Sequence, residues 1–442
     1  HVFFSHSDTE VLVRLYAEYG KEMLNMLNGM FAFAIYDKKE KQCFLARDRY
    51  GIKPLYYHQS QEGSFFFSSE IKGLLASKQI QPKLDHGAMI EYFTFQNFFS
   101  QRTLHQNIHL FPQASYAVID LKSNTKKPIQ FKKFWQYAFH AEKDHGKPYY
   151  LEGLKHHLHQ AVQNQLTGDA EIGSFLSAGL DSTAVAAIAS KSLPNLHTFT
   201  LGFADDKEAN IKDERQLAAR LAQEIGSQHH SICIGPDHLQ KCLKTLVWAV
   251  EEPRLGQCYP NFYANQLASR SVKVCLSGTG SDEIFGGYPW RYYSHNQFSN
   301  KENYIDHYYH TWHRLLPNKT LHALFGEYVQ PHHFQTKAIM RDTILHHLNT
   351  SSGIGQSMHF EAITFLQGLL ILEDKIGMHH GLESRIPMLD NALVDFAMKI
   401  PNHYKINTQD LQTVDENNAT QKQFIRSKGK RIFRESLDGI LP

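Results

Sequence analysis

The amino-acid sequence predicts an α/β protein: a parallel, doubly wound sheet preceded by a smaller β-rich domain. Three observations carry that prediction. From about residue 150 onward, short continuous apolar runs alternate with amphipathic helices, the pattern of a parallel sheet covered on both faces. One such run, Ile172–Leu176, leads into a tight polar turn, Ser177-Ala178-Gly179-Leu180-Asp181-Ser182-Thr183, and then into the helix-forming run Ala184–Ser190. The last run ends in a second loop rich in glycine and hydroxyls, Ser277–Tyr288, which carries Asp282 and Glu283.

The bulk numbers set the frame. A chain of 442 residues accommodates two or three domains, and 42% hydrophobic with 20% charged residues is globular composition. A net charge of +2 makes no electrostatic case for nucleic acid or an anionic membrane. The apolar runs are too short to span a bilayer, and no signal-like segment opens the chain. Five cysteines are spread singly, without C-x-x-C, which suits free thiols in a reducing compartment and a cytoplasmic expectation. Histidine pairs such as His229-His230 and His379-His380 match no zinc-ligand spacing and are expected to be solvated. The chain opens on His1 and is expected to be part of a longer sequence.

In order, Glu10–Tyr19 has apolar residues at helical spacing behind an expected Asp8-Thr9 cap. Met30–Tyr36 and Cys43–Ala46 read as strands joined by a turn at Asp37–Glu40, and Leu55–Tyr57 and Ser64–Phe67 as another pair. Between them Arg47–Tyr57 is dense in charges and aromatics, best explained by arginines and Asp48 pinning a turn. Weak strands follow at Tyr116–Leu121 and Gln130–Trp135, and Ala141–Tyr149 reads as a linker, dividing the chain into 1–140 and 141–442. Beyond it, Leu151, Leu154, Leu158, Val162 and Leu166 mark an amphipathic helix. Then come strand Ile172–Leu176, strand His197–Phe203, helix Glu214–Ile225 and strand His230–Ile234. Helices His238–Val250 and Asn261–Ala268 precede the strand Val272–Ser277. In such sheets the ligand lies beyond the carboxyl ends of the strands, so the loops after Leu176, Thr200 and Leu276 should converge.

The Ser177–Thr183 turn aims the free N–H groups of a helix start at one point, where the helix dipole favours an anion. Gly179 permits close approach of the main chain, and Ser177, Ser182 and Thr183 add hydroxyl donors. Asp181 inside an anion-binding turn needs a counter-charge, which reads as a Mg²⁺ ligand beside a bound pyrophosphate. No G-x-x-x-x-G-K-[ST] run exists, so this is not an ordinary P-loop; the alternative is a Ser/Gly-rich turn without a ligand. Asp282, from the second loop, is the matching carboxylate for displacement at a nucleotide α-phosphate; the alternative there is a glycine-rich loop capped by Asp282.

These residues resemble a known family. Ser177–Thr183 is similar to the S-G-G-[LI]-D-S-[ST] loop of ATP pyrophosphatases, and Ser277–Tyr288 to the L-S-G-x-G-x-D-E-x-F-G-G-Y signature of glutamine-hydrolysing asparagine synthetases. Leu27–Ala34, Arg47–Tyr57 and Ser68-Ser69-Glu70 resemble the later part of that family's glutaminase domain, and Gly381–Asp390 its G-[VL]-E-[AS]-R-[VI]-P-F-L-D segment. The resemblance implies an ATP pyrophosphatase domain preceded by part of an N-terminal-nucleophile α+β sandwich. It implies ATP-dependent conversion of aspartate to asparagine through an acyl-adenylate, with AMP and pyrophosphate released, ammonia from glutamine, Mg²⁺, and homodimers. By position, Asp181, Asp282 and Glu283 would be the acidic catalytic groups, Asp181 and Asp282 the metal ligands. Ser177, Gly179, Asp181 and Ser182 would hold pyrophosphate, and Phe175, Leu201, Ser277 and Gly278 would line the AMP site. Asp8 would pair with the α-ammonium of glutamine; read without the resemblance, it is a helix cap.

Four departures bear on function. The family's nucleophile is an N-terminal cysteine, whereas position 1 is His1, so the chain as written is expected not to hydrolyse glutamine. Lys430 and Arg434 match a G-K-x-x-x-R helix, not the family's later transition-state lysine, so the chain as written is also expected to be impaired in synthetase activity. Thr279 stands where the family has Glu and cannot act as a charged contact or base, which admits another carboxylate acceptor or the intramolecular amide chemistry of β-lactam-forming relatives. Ala178 replaces a loop glycine, tolerable only with φ below zero, while Met388 for Phe reads as a core exchange. The pair Glu373-Asp374 faces either the acceptor or solvent.

Overall fold

The computed structural model describes residues 2–122, 128–204, 214–254, 258–292, 301–345, 353–407 and 428–441. Packing divides the chain into two units, residues 1–81 with 107–136, and residues 82–106 with 137–442. Residues 82–106 thus cluster with the second unit, although they precede the expected linker.

In the first unit, strands β1 (Ala32–Asp37), β2 (Gln42–Arg47), β3 (Tyr56–Gln59) and β4 (Phe65–Ser68) are followed by β5 (His109–Leu110), β6 (Ser115–Asp120) and β7 (Lys132–Lys133). They form two antiparallel sheets, ordered β1-β2-β6-β7 and β4-β3-β5. Alternation along β2 explains the layering. Leu45 shares a core with Leu55, Phe111 and Ala117, while Phe44 and Ala46 face Met23, Leu24 and the Leu12, Leu15 and Tyr16 stripe of the Asp8–Tyr19 helix. The helix cap is Ser7, whose side chain accepts from Thr9 N, rather than the expected Asp8-Thr9 pair.

The charged loop after β2 is structural, as its composition suggested. Arg47 donates to the carbonyls of Lys53, Phe111 and Gly51 at 2.7, 2.6 and 2.7 Å. Asp48 accepts from the backbone N–H groups of Phe31, Tyr50, Ile52 and Lys53. Both residues are fully buried, so their charges are satisfied by backbone dipoles.

The second unit is built on a five-stranded parallel sheet of β8 (Ile172–Phe175), β9 (His197–Phe203), β10 (Gln228–Ile234), β11 (Val274–Leu276) and β12 (Glu383–Arg385). Its order is β10-β9-β8-β11-β12. The chain leaves β8 towards β9 and β10, then returns to place β11 on the other side of β8. Right-handed crossovers therefore put the helices Leu180–Ser190 and Arg215–Glu224 on one face and Pro236–Val250 and Cys258–Ala268 on the other. The reversal leaves a crevice between the ends of β8 and β11, where such sheets bind ligands.

Several elements lay outside the sequence reading, among them the helix Phe365–His379 that carries Glu373 and Asp374. β12, in the Gly381–Asp390 segment, is three residues long and too short for periodicity. Helices Lys301–Trp312, Asn318–Phe325, Thr336–Leu345 and Gly353–Ile363 also went unassigned. The last is buried almost all round, which erases the amphipathic signal. The histidine expectation needs correction: His230 Nε2 lies 2.9 Å from His197 Nδ1, and His229 Nδ1 lies 3.1 Å from Thr198 Oγ1, so this pair sits within the sheet. His346-His347 lie outside the described residues. All five cysteines are free, and among the described residues no helix is long and apolar enough to cross a membrane.

Candidate functional site

The Ser177 turn after β8 and the Ser277 loop after β11 meet at the crevice, as the alternating pattern requires. Their contact depends on Gly278. A Cβ there would lie 2.9 Å from both Asp181 Cβ and Ser182 N, so a side chain would push the loops apart. They line a cavity of about 690 Å³ that includes Ser177, Gly179, Asp181, Ser182, Asp282 and Glu283. A second cavity of about 230 Å³ adjoins it, lined in part by Leu201, Asn261, Asn265 and Glu373. Phe175, Ser177, Ser277 and Thr279 line both.

Within the turn, Ser182 Oγ lies 3.1 Å from Ser177 N and 3.0 Å from Ser177 Oγ, and donates to Gly179 O. Gly179 caps the Leu180–Ser190 helix without a side chain of its own, leaving the first N–H groups of the helix open to the cavity. Ala178 departs from expectation. Its φ is +56°, in the left-handed region that disfavours a Cβ, rather than below zero. The turn is therefore strained, and Ala178→Gly should raise stability by about 1 kcal/mol, read as a higher denaturation midpoint. An unchanged or lower midpoint would argue against strain.

The two carboxylates are joined by a residue that the sequence reading set aside. Lys430 Nζ lies 2.6 Å from Asp181 Oδ2 and 2.8 Å from Asp282 Oδ1, and donates to Ser281 Oγ at 3.4 Å. Gly429 makes this possible: a Cβ there would come within 2.9 Å of Gly286 O and Pro289 Cδ. Burial works against the charge of Lys430, yet the two carboxylates hold its ammonium above the ordinary lysine value. Asp181 Oδ1 is buried without a hydrogen-bond partner, as is Oγ1 of Thr183.

Glu283 is fully enclosed, and its Oε1 accepts from Tyr288 Oη at 2.7 Å. Burial and then the neighbouring charge of Asp282 push its carboxyl up to about 8. Behind it, Arg291 lies over the rings of Tyr288 and Trp312 at 4.0 and 4.4 Å and donates to the buried Glu361. Glu361 also accepts from Tyr308 Oη at 2.8 Å, so a satisfied polar network fixes the wall of the site.

Glu373 and Asp374 do not solvate their helix: both are buried. Glu373 Oε2 accepts from Thr279 Oγ1 at 2.7 Å. Met388 is fully buried, a packing residue. Asp8, in the first unit, is exposed at the start of its helix. Among the described residues no three His, Cys, Asp or Glu side chains cluster as a metal site, so Asp181 and Asp282 stand as a two-carboxylate pair. The sequence names Lys430 only as part of a G-K-x-x-x-R helix and Glu373 only as facing either the acceptor or solvent; nothing in spacing marks either as reaching these loops.

Comparison with known proteins gives a consistent picture. The sequence model described as asparagine synthase matches residues 153–442, and that of the glutamine amidotransferase domain matches residues 1–135. The chain is similar to asparagine synthetase (glutamine-hydrolyzing) 1 of Bacillus subtilis strain 168, at 28% identity across 100% of this chain and 70% of that protein. Asparagine synthetase (glutamine-hydrolyzing) 3 of the same organism is 28% identical over the same shares. Its asparagine synthetase (glutamine-hydrolyzing) 2 is 29% identical over 91% of this chain and 55% of that protein.

Proposed function

The chain belongs to the asparagine synthase family of ligases, and on that premise we propose that it amidates aspartate with ammonia at the expense of ATP, through a β-aspartyl-adenylate. The observation that carries this reading is the meeting of Asp181, Asp282 and Lys430 at the crevice between β8 and β11. An anion-binding helix start and two carboxylates share one cavity there, and a bound triphosphate needs both.

In this reading the open N–H groups after Gly179, with Ser177 and Ser182, bind the pyrophosphate that leaves. Phe175, Leu201, Ser277 and Gly278 border the adenosine. The β-carboxylate oxygen attacks the α-phosphorus and the bond to pyrophosphate breaks, which exchanges a poor leaving group for AMP; ammonia then displaces AMP from the acyl carbon. The donor set fits Mg²⁺: oxygen ligands only, with Asp181 Oδ1 buried and unpartnered. Asp181 and Asp282 would hold the ion, which supplies charge neutralisation to the departing pyrophosphate. Glu283, gripped by Tyr288, keeps the second loop in place beside Asp282. Asp8 is the proposed contact for the α-ammonium of glutamine in the first unit.

Aspartate-dependent exchange of labelled pyrophosphate into ATP tests the adenylation step without requiring ammonia. Asp181→Asn should lower that exchange by at least about a hundredfold at saturating ATP. Exchange that persists in Asp181→Asn, or that never depends on a carboxylate substrate, would sink the reading.

A further inference from the structure

Resting on that reading, we propose that Glu373 is the general base of the amide-forming step, held in place by the hydroxyl of Thr279. The step itself demands a base. Ammonia adds to the acyl carbon, the C–O bond to AMP breaks with its electron pair leaving on the phosphate oxygen, and the new C–N bond is left with one proton too many. Ammonia plus acyl-adenylate gives amide, AMP and a proton, and a carboxylate beside the reacting carbon can take that proton in the transition state.

The other carboxyl groups of the site line the larger cavity and not the smaller one. Asp181 and Asp282 are paired with Lys430, and Glu283 is gripped by Tyr288 away from the smaller cavity. Among the described residues lining that smaller cavity, Glu373 is the only one with a carboxyl side chain. It is 9% exposed, so its carboxylate is shielded from bulk water. Thr279, Ser277, Phe175 and Ser177 border both cavities, which places Glu373 beside the boundary where adenosine and pyrophosphate halves of a nucleotide would join.

The hydrogen bonds give the carboxylate a defined orientation. A carboxylate only accepts, so Thr279 donates its one proton to Glu373 across 2.7 Å. Thr279 Oγ1 must then accept from Ser277 Oγ, 2.9 Å away, while Ser277 Oγ accepts from Thr279 N at 3.3 Å. The Ser277–Thr279–Glu373 chain is thus directional, and it ends on a basic oxygen. A threonine at position 279 cannot take the proton itself, but it can hold a group that does. Glu373 is the catalytic residue in this account and Thr279 a positioning residue.

The test separates the two half-reactions. With aspartate, ATP and ammonium chloride, Glu373→Gln should keep aspartate-dependent pyrophosphate exchange within about threefold while asparagine formation falls by about a hundredfold in kcat. Hydroxylamine, unprotonated at neutral pH and forming a more acidic adduct, should restore hydroxamate formation to within about tenfold of the unsubstituted chain. Thr279→Val should show a milder loss of the same kind, and Thr279→Ser should recover it, which a purely structural role would not predict. Undiminished amide formation in Glu373→Gln overturns the proposal, as does a rise in KM for ATP with kcat unchanged, which would make Glu373 a nucleotide contact. Should Glu373→Gln fail to fold, the Thr279 pair decides: equal activity in Val and Ser overturns it. Absence of exchange in the unsubstituted chain would instead overturn the adenylation reading, and this proposal with it.

Discussion

Lys430→Met is expected to reduce aspartate-dependent pyrophosphate exchange by about a hundredfold to a thousandfold. Lys430 is the sole cation within 2.8 Å of the Asp181 and Asp282 carboxylates among the described contacts. Without it, two negative groups from different loops face one cavity that must admit a triphosphate. Their mutual repulsion, and repulsion of the nucleotide, both oppose binding. The loss should appear in stability as well, about 2 kcal/mol, because removing one partner of an enclosed ion cluster leaves the others uncompensated. Lys430→Arg should recover little of the exchange. A planar guanidinium fork cannot sit between two carboxylates and a serine hydroxyl as a compact ammonium does. Exchange rates in the two variants, measured beside their denaturation midpoints, separate a functional loss from unfolding. Exchange within threefold of the unsubstituted chain in Lys430→Met would show that Lys430 is only a packing residue.

Lys405 should make the protein more stable as pH rises above neutrality. It is fully buried, its Nζ has no hydrogen-bond partner, and it lies 5.1 Å from the ring centroid of Phe139. Burial pulls its ammonium down to about 7 from the ordinary 10.5. The unfolded chain keeps the proton up to the ordinary value, whereas the folded chain gives it up near 7. The unfolded state therefore binds more protons between those limits, and stability climbs with pH across that window. As pH falls through about 7 the contribution is lost. Lys405→Met removes the cost of enclosing the charge. It should be more stable than the unsubstituted chain by about 4 kcal/mol at pH 7, with the gap narrowing to about 1 kcal/mol at pH 9.5. Denaturant midpoints at the two pH values measure this. A gap independent of pH, or a less stable variant at pH 7, would rule out an uncompensated buried ammonium.

Much of the second unit is legible because its signals are local. The strands β8, β9 and β10 are short and separated by helices, and turn residues follow two of them, Ser177 after β8 and Gly235 after β10. β9 and β10 are not continuous apolar runs, since they carry His197, Thr198 and Thr200 and Gln228 to Ser231. His197–Phe203 has the same bounds in sequence and structure. The helix expected at His238–Val250 begins two residues earlier because Pro236 occupies its first turn, a favoured place for proline. The Ser177 and Ser277 loops were found from their glycines, hydroxyls and acids, and β-sheet topology brings them together. The boundaries of β11 and the existence of β12 were less readable, since three paired residues carry no period.

By itself, then, the sequence determined the alternation of strands and helices, the two loops at the strand ends, and the chemistry those loops can offer. These depend on residue type and on neighbours a few positions away. Only the tertiary structure decided that Lys430 stands between Asp181 and Asp282, that Glu373 meets Thr279, that Ala178 is strained, and that residues 82–106 join the second unit. Each of these is set by packing between segments distant along the chain. Gly278 and Gly429, for instance, let backbones approach where any side chain would hold them apart, and no local periodicity records where that approach occurs.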